Sequence, residues 1–187
     1  MANRSSHRAM DLNTSPELIG PTIVLHRPQI PQNTGNISRL CVAINSPLVV
    51  TGKAGFDFSA AAVKRAGLDH WEHLQFRHYN RFADFYRAIP ARRLITVSKS
   101  GRYALHDFPF VAGDMLLFGN ETMGLPPALL SRIEHSVQIP MWGKVRSLNL
   151  SNSVAIVAYA YIRRVFGDAL KHAGGAYPRT YYRSQHG

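Results

Sequence analysis

The sequence predicts an α/β fold with a largely parallel sheet, on three observations. Strand-like and helix-like segments alternate from Thr22 to Ile162, which is the pattern of βα units. One strand candidate, Met115–Leu116–Leu117–Phe118, is apolar throughout, as a buried strand is. It runs straight into the polar, glycine-bearing loop Gly119–Asn120–Glu121–Thr122–Met123–Gly124. In α/β sheets, ligands sit beyond the carboxyl ends of the strands.

Taken in order, residues 1–20 are polar and turn-rich without periodicity, the composition of a disordered tail. Thr22–Leu25 reads as a short buried strand. Pro28 to Asn36 reads as a loop with two prolines and three amide side chains before Asn36. A helix is expected from Asn36 to Ala43, with Ile37, Leu40, Cys41 and Ile44 on one face. That places Arg39 in a first helical turn, where the macrodipole disfavours a cation, so a functional role is weighed against a surface arginine. Pro47–Val50 is a second strand. Ser59–Ala66 is a helix with Ser59 as N-cap and Gly67 as C′. Leu74–Phe76 is a weak strand. Asn80 caps a helix through Ala88, and Arg93–Ser98 is a strand ended by Lys99–Ser100–Gly101. After the buried strand and its loop, Pro126–Ser131 forms a short helix, proline being tolerated in a first turn.

Ser136–Ile139 is the last strand, stopped by Pro140 because proline cannot donate to a ladder. The loop Trp142–Ser147 follows, with Lys144 and Arg146. Ser147, Asn149, Ser151 and Asn152 then lead into the apolar run Val154–Ile162, a buried helix. Four small polar side chains exceed what one N-cap needs. Two readings stand for this stretch: a capped core helix, or a helix entrance gripping a polar ligand.

A chain of 187 residues buries a core as one domain. The single cysteine, Cys41, excludes an internal disulfide framework and a cysteine-based metal cluster; within Leu40–Cys41–Val42–Ala43 it reads as a packed thiol. The nine histidines form no H-E-x-x-H or Cys/His set, so no metal is expected. Neither G-x-G-x-x-G nor G-x-x-x-x-G-K-[ST] occurs, nor a G-x-S-x-G elbow. Without an N-terminal apolar segment or a run of membrane-spanning length, the expected setting is the cytoplasm.

The net charge of +11 favours a polyanion partner, nucleic acid first. Arg77 to Arg102 holds seven basic residues against one acid, and Arg163 to Arg183 five against one, both with aromatic side chains interleaved. Such regions suit phosphate contact and base stacking. The candidate RNA contacts are Arg77, Arg81, Arg87, Arg92 and Arg93, with Lys144 and Arg146 in the later loop.

Three loops, Pro31–Arg39, Phe118–Pro126 and Ile139–Asn152, together resemble the three motifs of the SPOUT class of RNA methyltransferases. The segments IPQNTGNISRLC, KRAGLDHW, LLFGNETMGLP and IPMWGKVRSLNLSNSVAIVAY are similar to those of the tRNA (cytidine/uridine-34) 2′-O-ribose methyltransferase family. The similarity runs from about Thr22 to Phe166. It implies a domain over 21–166 between an N-terminal tail (1–20) and a basic tail (167–187). It also implies a trefoil knot at the C-terminal side, which general rules of connection do not anticipate, an obligate homodimer, tRNA as substrate and S-adenosylmethionine as cofactor. The resemblance implies a cofactor pocket of Val97, Ser98, Gly119, Asn120, Glu121, Ile139, Met141, Ser147, Leu148 and Asn149. Arg39 matches the family's catalytic arginine, with Asn33 and Asn36 beside it and Asn152 as a polar residue of the third motif. The sequence departs from the second motif where Asn120 stands for a frequent proline and Met123 for a frequent basic residue.

The implied reaction is attack of a ribose 2′-OH on a sulfonium methyl. Alignment and one proton transfer are the protein's tasks. A guanidinium is effectively always protonated, so Arg39 is either a base with a severely depressed pKa or a group that orients phosphate and stabilises oxyanion charge. The second is the expectation. Glu121, the only acid in the three motifs, either holds loop N–H groups or counters the sulfonium charge. The alternatives are a related enzyme acting on another tRNA or rRNA site, and a non-catalytic RNA-binding protein of the same fold.

Overall fold

The computed structural model describes residues 20–89 and 91–172. The chain forms β1 (Thr22–His26), α1 (Pro31–Ala43), β2 (Leu48–Thr51) and α2 (Ala60–Arg65). A 3₁₀ turn, Asp69–His73, precedes β3 (Phe76–Tyr79) and α3 (Phe82–Arg87). Then come β4 (Leu94–Val97), β5 (Tyr103–Ala104), a second 3₁₀ turn (Leu105–Asp107) and β6 (Met115–Phe118). The described part closes with α4 (Pro127–Arg132), β7 (His135–Gln138) and α5 (Leu150–His172).

Seven strands make one sheet in the order β3-β2-β1-β6-β4-β7-β5, and all of its pairings are parallel. Parallel sheets need both faces covered, and the period-2 alternation of the strands does this. Ile23, Leu25, Leu48, Val50, Ile95, Leu116, Phe118 and Val137 face α1 and α5, meeting Ile37, Cys41, Val154, Val157 and Tyr161. Val24, Val49, Leu94, Met115 and Leu117 face the other way, onto Phe85, Ile89, Leu125 and Ile133. Full burial of such side chains stabilises by about 1.5–3 kcal/mol each. Cys41 is fully buried, and burial pushes its thiol pKa up, so it is a packed residue as expected.

Several sequence expectations are corrected here. Helix α1 begins at Pro31 rather than Asn36. Pro31 occupies the first turn, where its missing N–H costs nothing, so the prolines and amides read as a loop are a helix start. Arg39 therefore lies about two turns inside the helix, and the macrodipole penalty inferred for it does not apply. Asn80 does not cap α3: Arg81 occupies the N-cap, with no side-chain cap bond. Strand β3 lies further along the chain than Leu74–Phe76, and α5 runs on past Ile162 to His172. Strand β5, two residues long, carries no periodicity to read. The tails expected at 1–20 and 167–187 lie mostly outside the described residues. No described helix is long and apolar enough to cross a membrane.

Candidate active site

The carboxyl ends of β6, β4 and β7, neighbours in the sheet, each release a loop, and the three loops enclose one cleft of about 500 Å³. All ten residues expected at a cofactor pocket line it: Val97 and Ser98 after β4, Gly119 to Glu121 after β6, and Ile139, Met141 and Ser147 to Asn149 after β7. Sequence reasoning missed Ile30, Lys99, Ser100, Thr122, Leu130 and Ser153, which also line it. A signal for Lys99 and Ser100 existed. They end a strand in the sequence, and a Lys-Ser-Gly turn after a buried strand is the same cue as the loop after β6. Lys99 is the only cation, and Glu121 the only acid, among the described residues lining the cleft.

Close backbone approach shapes two walls. A Cβ on Gly119 would stand 2.0 Å from the Gly124 carbonyl carbon, because the loop folds back on itself. Gly124 N–H donates to the Asn120 carbonyl (3.0 Å), and Gly124 has a left-handed φ of 67°. Asn120 Oδ1 accepts from the N–H groups of Thr122 (3.1 Å) and Met123 (2.6 Å), so the asparagine ties the turn. A Cβ on Gly101 would stand 2.1 Å from the Val137 carbonyl carbon. The short segment after β4 thus presses on the end of β7, and Ser98 N–H donates to the Val137 carbonyl (3.0 Å).

Glu121 locks the three motifs together. Its carboxylate accepts from Gln29 N–H (2.9 Å), Ile30 N–H (3.2 Å) and Asn33 Nδ2 (2.9 Å). Ile30 is the N-cap of α1 and supplies no side-chain cap; the carboxylate binds the N-cap N–H and lies at the helix N-terminus, where the dipole favours a negative charge. Burial alone pushes the Glu121 pKa up, but the bonds from Asn33, Gln29 and Ile30 outweigh it and hold the carboxyl below its usual range. Asn33 Oδ1 in turn accepts from Asn149 Nδ2 (2.9 Å). That leaves Asn149 Oδ1 to accept from Ser151 N–H (2.8 Å) and Ser151 Oγ (2.7 Å), which caps α5. Of the two roles weighed for Glu121, holding loop N–H groups is the one the contacts display. The helix entrance at Asn149 is both a cap and a wall of the cleft.

Arg39, Asn36 and Asn152 stand apart. None lines the cleft, and all three are exposed. Arg39 Nη2 pairs with Asp69 Oδ1 at 3.0 Å, the two side chains 63% and 79% exposed. Hydrogen bonds from His70, the side chain first, and then the Arg39 charge hold the Asp69 carboxyl below its usual range. His70 is anchored by Ser38, Oγ to Nε2 2.7 Å.

The expected RNA contacts do not form one surface. Arg81 follows the carboxyl end of β3, whereas Arg92 and Arg93 precede β4 at the opposite edge of the sheet. Arg93 is committed within the fold. Its guanidinium holds both oxygens of the fully buried Asp114 at 2.7 Å, donates to the Pro109 carbonyl and covers the Phe108 ring. It is a fold-bearing ion pair. Arg87 pairs with Asp84 one turn away. Arg77 donates to the Tyr79 hydroxyl (2.9 Å) and lies over its ring. Lys144 and Arg146 are exposed in the loop after β7. Among the described residues no group of three or more His, Cys, Asp or Glu is placed to hold a metal.

Residues 20–159 match the SpoU rRNA methylase family. The tRNA (cytidine(34)-2′-O)-methyltransferase of Burkholderia cenocepacia is 43% identical over 143 residues, 73% of this chain and 90% of the relative. That of Aeromonas hydrophila is 39% identical over 145 residues, 76% and 93%. A structure solved for insight into the 2-OH methylation of C/U34 on tRNA superposes with a TM-score of 0.74 at 42% identity, covering 79% of this chain and 97% of that one. The SpoU methyltransferase AviRb from Streptomyces viridochromogenes, in complex with AdoMet, superposes with a TM-score of 0.68 at 28% identity, covering 76% and 57%. With three motifs gathered at one cleft and a match over most of its length, this chain belongs to the SpoU rRNA methylase family.

Proposed function

We propose that this chain methylates the ribose 2′-hydroxyl of the wobble nucleotide, cytidine or uridine 34, of tRNA, using S-adenosylmethionine. The observation that carries the reading is the three-loop cleft, locked through Glu121, Asn33 and Asn149, in a chain that spans at least nine-tenths of two relatives with that activity.

The cleft fits the cofactor. Its volume of about 500 Å³ suits a ligand of that size. Gly119 leaves the backbone open where any side chain would collide, and the loop after β7 offers Ser147 and Asn149 beside the apolar Ile139 and Met141. Val97, Ser98, Gly119 to Glu121, Ile139, Met141 and Ser147 to Asn149 would hold it. S-Adenosylmethionine supplies an electrophilic methyl group on a sulfonium centre. The protein's residues align the ribose hydroxyl, whose proton passes to solvent water as its oxygen takes up the methyl group. Arg39 keeps its proton, orients the adjoining phosphate and stabilises charge developing on the 2′-oxygen.

Because Arg39, Asn36 and Asn152 lie off their own chain's cleft, the reading includes a homodimer in which a second copy completes the site. Exposed Ile156 and Tyr159 on α5, 42% and 50% accessible, supply apolar surface for such a contact. The proposed domain is 21–166, with a trefoil knot. Its support is that β7 lies between the sequential strands β4 and β5, so the chain crosses the end of β7 through Gly101. The proposed setting is the cytoplasm, where tRNA is modified.

A related enzyme acting on another RNA site is the second reading. It is disfavoured because the chain is 42% identical to the structure solved for C/U34 methylation and 28% identical to AviRb. Methyl transfer from labelled S-adenosylmethionine to unmodified tRNA transcripts, mapped by mass spectrometry, tests the proposal. Label on the ribose of nucleotide 34 is the expected result. Label at another nucleotide selects the second reading, and no label with no cofactor bound leaves a non-catalytic RNA-binding protein.

A further inference from the structure

Strands β1, β2 and β3 end on one rim, and their ladders each run one bond further than the strands. Arg27 N–H donates to the Thr51 carbonyl (2.9 Å), and Gly52 N–H to the Tyr79 carbonyl (2.8 Å). This steps Arg27, then Gly52–Lys53, then Asn80–Arg81 across the carboxyl edge of the sheet. With neighbouring strands about 4.8 Å apart, the three positions span about 10 Å. Arg27, Lys53 and Arg81 are all exposed. Among the described residues none of the three is in an ion pair, whereas Arg39, Arg87 and Arg93 each hold a carboxylate.

Arg27 is the unusual member. Its φ of 52° is left-handed, a conformation disfavoured for a residue with a Cβ. Its side chain lies across Gly52, where an added Cβ would stand 2.8 Å from Arg27 Cγ. Gly52, itself at φ 76°, makes room for it. Strain spent on an exposed cation that forms no ion pair among the described residues points to a ligand. The rim also starts at the cleft: Gln29 Nε2 donates to the Arg27 carbonyl (2.7 Å), and Gln29 N–H to Glu121 (2.9 Å). Behind the row, Phe82 and Tyr86 stack at 5.9 Å.

We propose that Arg27, Lys53 and Arg81 form a row that holds successive phosphates of the RNA substrate, leading outward from the methyl-transfer cleft across β2 to β3. Three separated cations in a line match a repeating anion better than a single phosphate group, since a nucleic acid strand is a repeating array of phosphates. The row rests on the reading of this chain as an RNA methyltransferase. Arg27 and Lys53 are isolated in the sequence, and only the parallel sheet brings them beside Arg81.

The test is binding of a fluorescein-labelled unmodified tRNA transcript to the full chain over a series of salt concentrations. The wild type is compared with the triple variant Arg27→Asn, Lys53→Gln, Arg81→Gln and with Arg27→Asn alone. Asparagine accepts the left-handed backbone, so Arg27→Asn removes the charge and keeps the turn. The slope of log affinity against log salt is expected to fall by about 2–3 in the triple variant and by about 1 in the single one. KM for tRNA rises while kcat at saturating tRNA and cofactor affinity hold. Arg27→Lys with Arg81→Lys keeps the slope, because lysine serves as a point charge for phosphate. Unchanged slopes in a wild type and triple variant that both methylate tRNA overturn the row alone. A slope that falls in the variant, with no methyl transfer by the wild type, supports the row and refutes the reaction. A wild type that binds no RNA overturns both.

Discussion

Helix α1 contributes to two regions that are held in opposite ways. At its start, Asn33 is buried and its amide is used at both ends, by Glu121 and by Asn149. Two turns on, Arg39 is exposed and held by one exposed carboxylate, Asp69. The cleft side is fixed before any ligand arrives. The outer side presents a charge that lies off its own chain's cleft, in an exposed ion pair. The difference suits the proposed homodimer, in which the methyl donor's pocket is preorganised and the group acting on the substrate comes from the second copy.

The largest effect is expected from Gly119→Ala. The new Cβ meets main-chain atoms at 2.0 Å, so the loop must move by about 1 Å, a displacement that costs on the order of 100-fold in rate. Calorimetry should show cofactor binding lost with it. Retention of both would mean that the cleft is less rigid than its contacts indicate.

Acid should separate the regions next. Burial first, and the Arg27 charge second, lower the His26 pKa from 6.5 to about 4. The folded chain therefore holds His26 neutral while the unfolded chain takes up a proton below pH 6.5. Stability present above pH 6.5 is lost as the pH falls towards about 4, by about 3 kcal/mol. Glu121 acts lower down: its depressed pKa adds stability above the ordinary carboxylate range, lost as pH falls through the folded value. Chemical denaturation across this range, in wild type and His26→Gln, should show the first loss only in the wild type.

Glu121→Gln is expected to cost about 1–3 kcal/mol, because an amide donor then faces N–H groups that need an acceptor, and to weaken cofactor binding. The smallest effect is expected from Asp69→Asn. The pair it breaks is solvent-exposed, and such pairs contribute little, so the melting temperature should not change measurably. A clear drop would mean that the outer face of α1 is as tightly built as the cleft.

Much of this contrast was legible in the sequence, because it rests on local patterns. Met115–Phe118 reads as a buried strand from four apolar residues, and the loops after β4, β6 and β7 advertise glycine, serine and asparagine. What was not legible depends on partners distant in sequence. Pro31, Asn33 and Thr34 look like a loop until Glu121, from the loop after β6, takes up the Ile30 N–H and the Asn33 amide at the helix start. Arg93 looks like an RNA contact until Asp114 appears beneath it. The basic segment from Arg77 to Arg102 looks continuous, but the chain crosses the sheet within it and sends its charges to opposite edges.

The most direct test of the contrast is activity of a mixed dimer. Arg39→Ala chains and Gly119→Ala chains, carrying different tags, are co-expressed and purified through both tags, and their methyl transfer to tRNA is compared with each variant alone. Both homodimers should be inactive, and the mixed dimer should recover one working site, a cleft with intact Gly119 beside the other copy's Arg39. A mixed dimer as inactive as its parents would contradict a site shared between two copies.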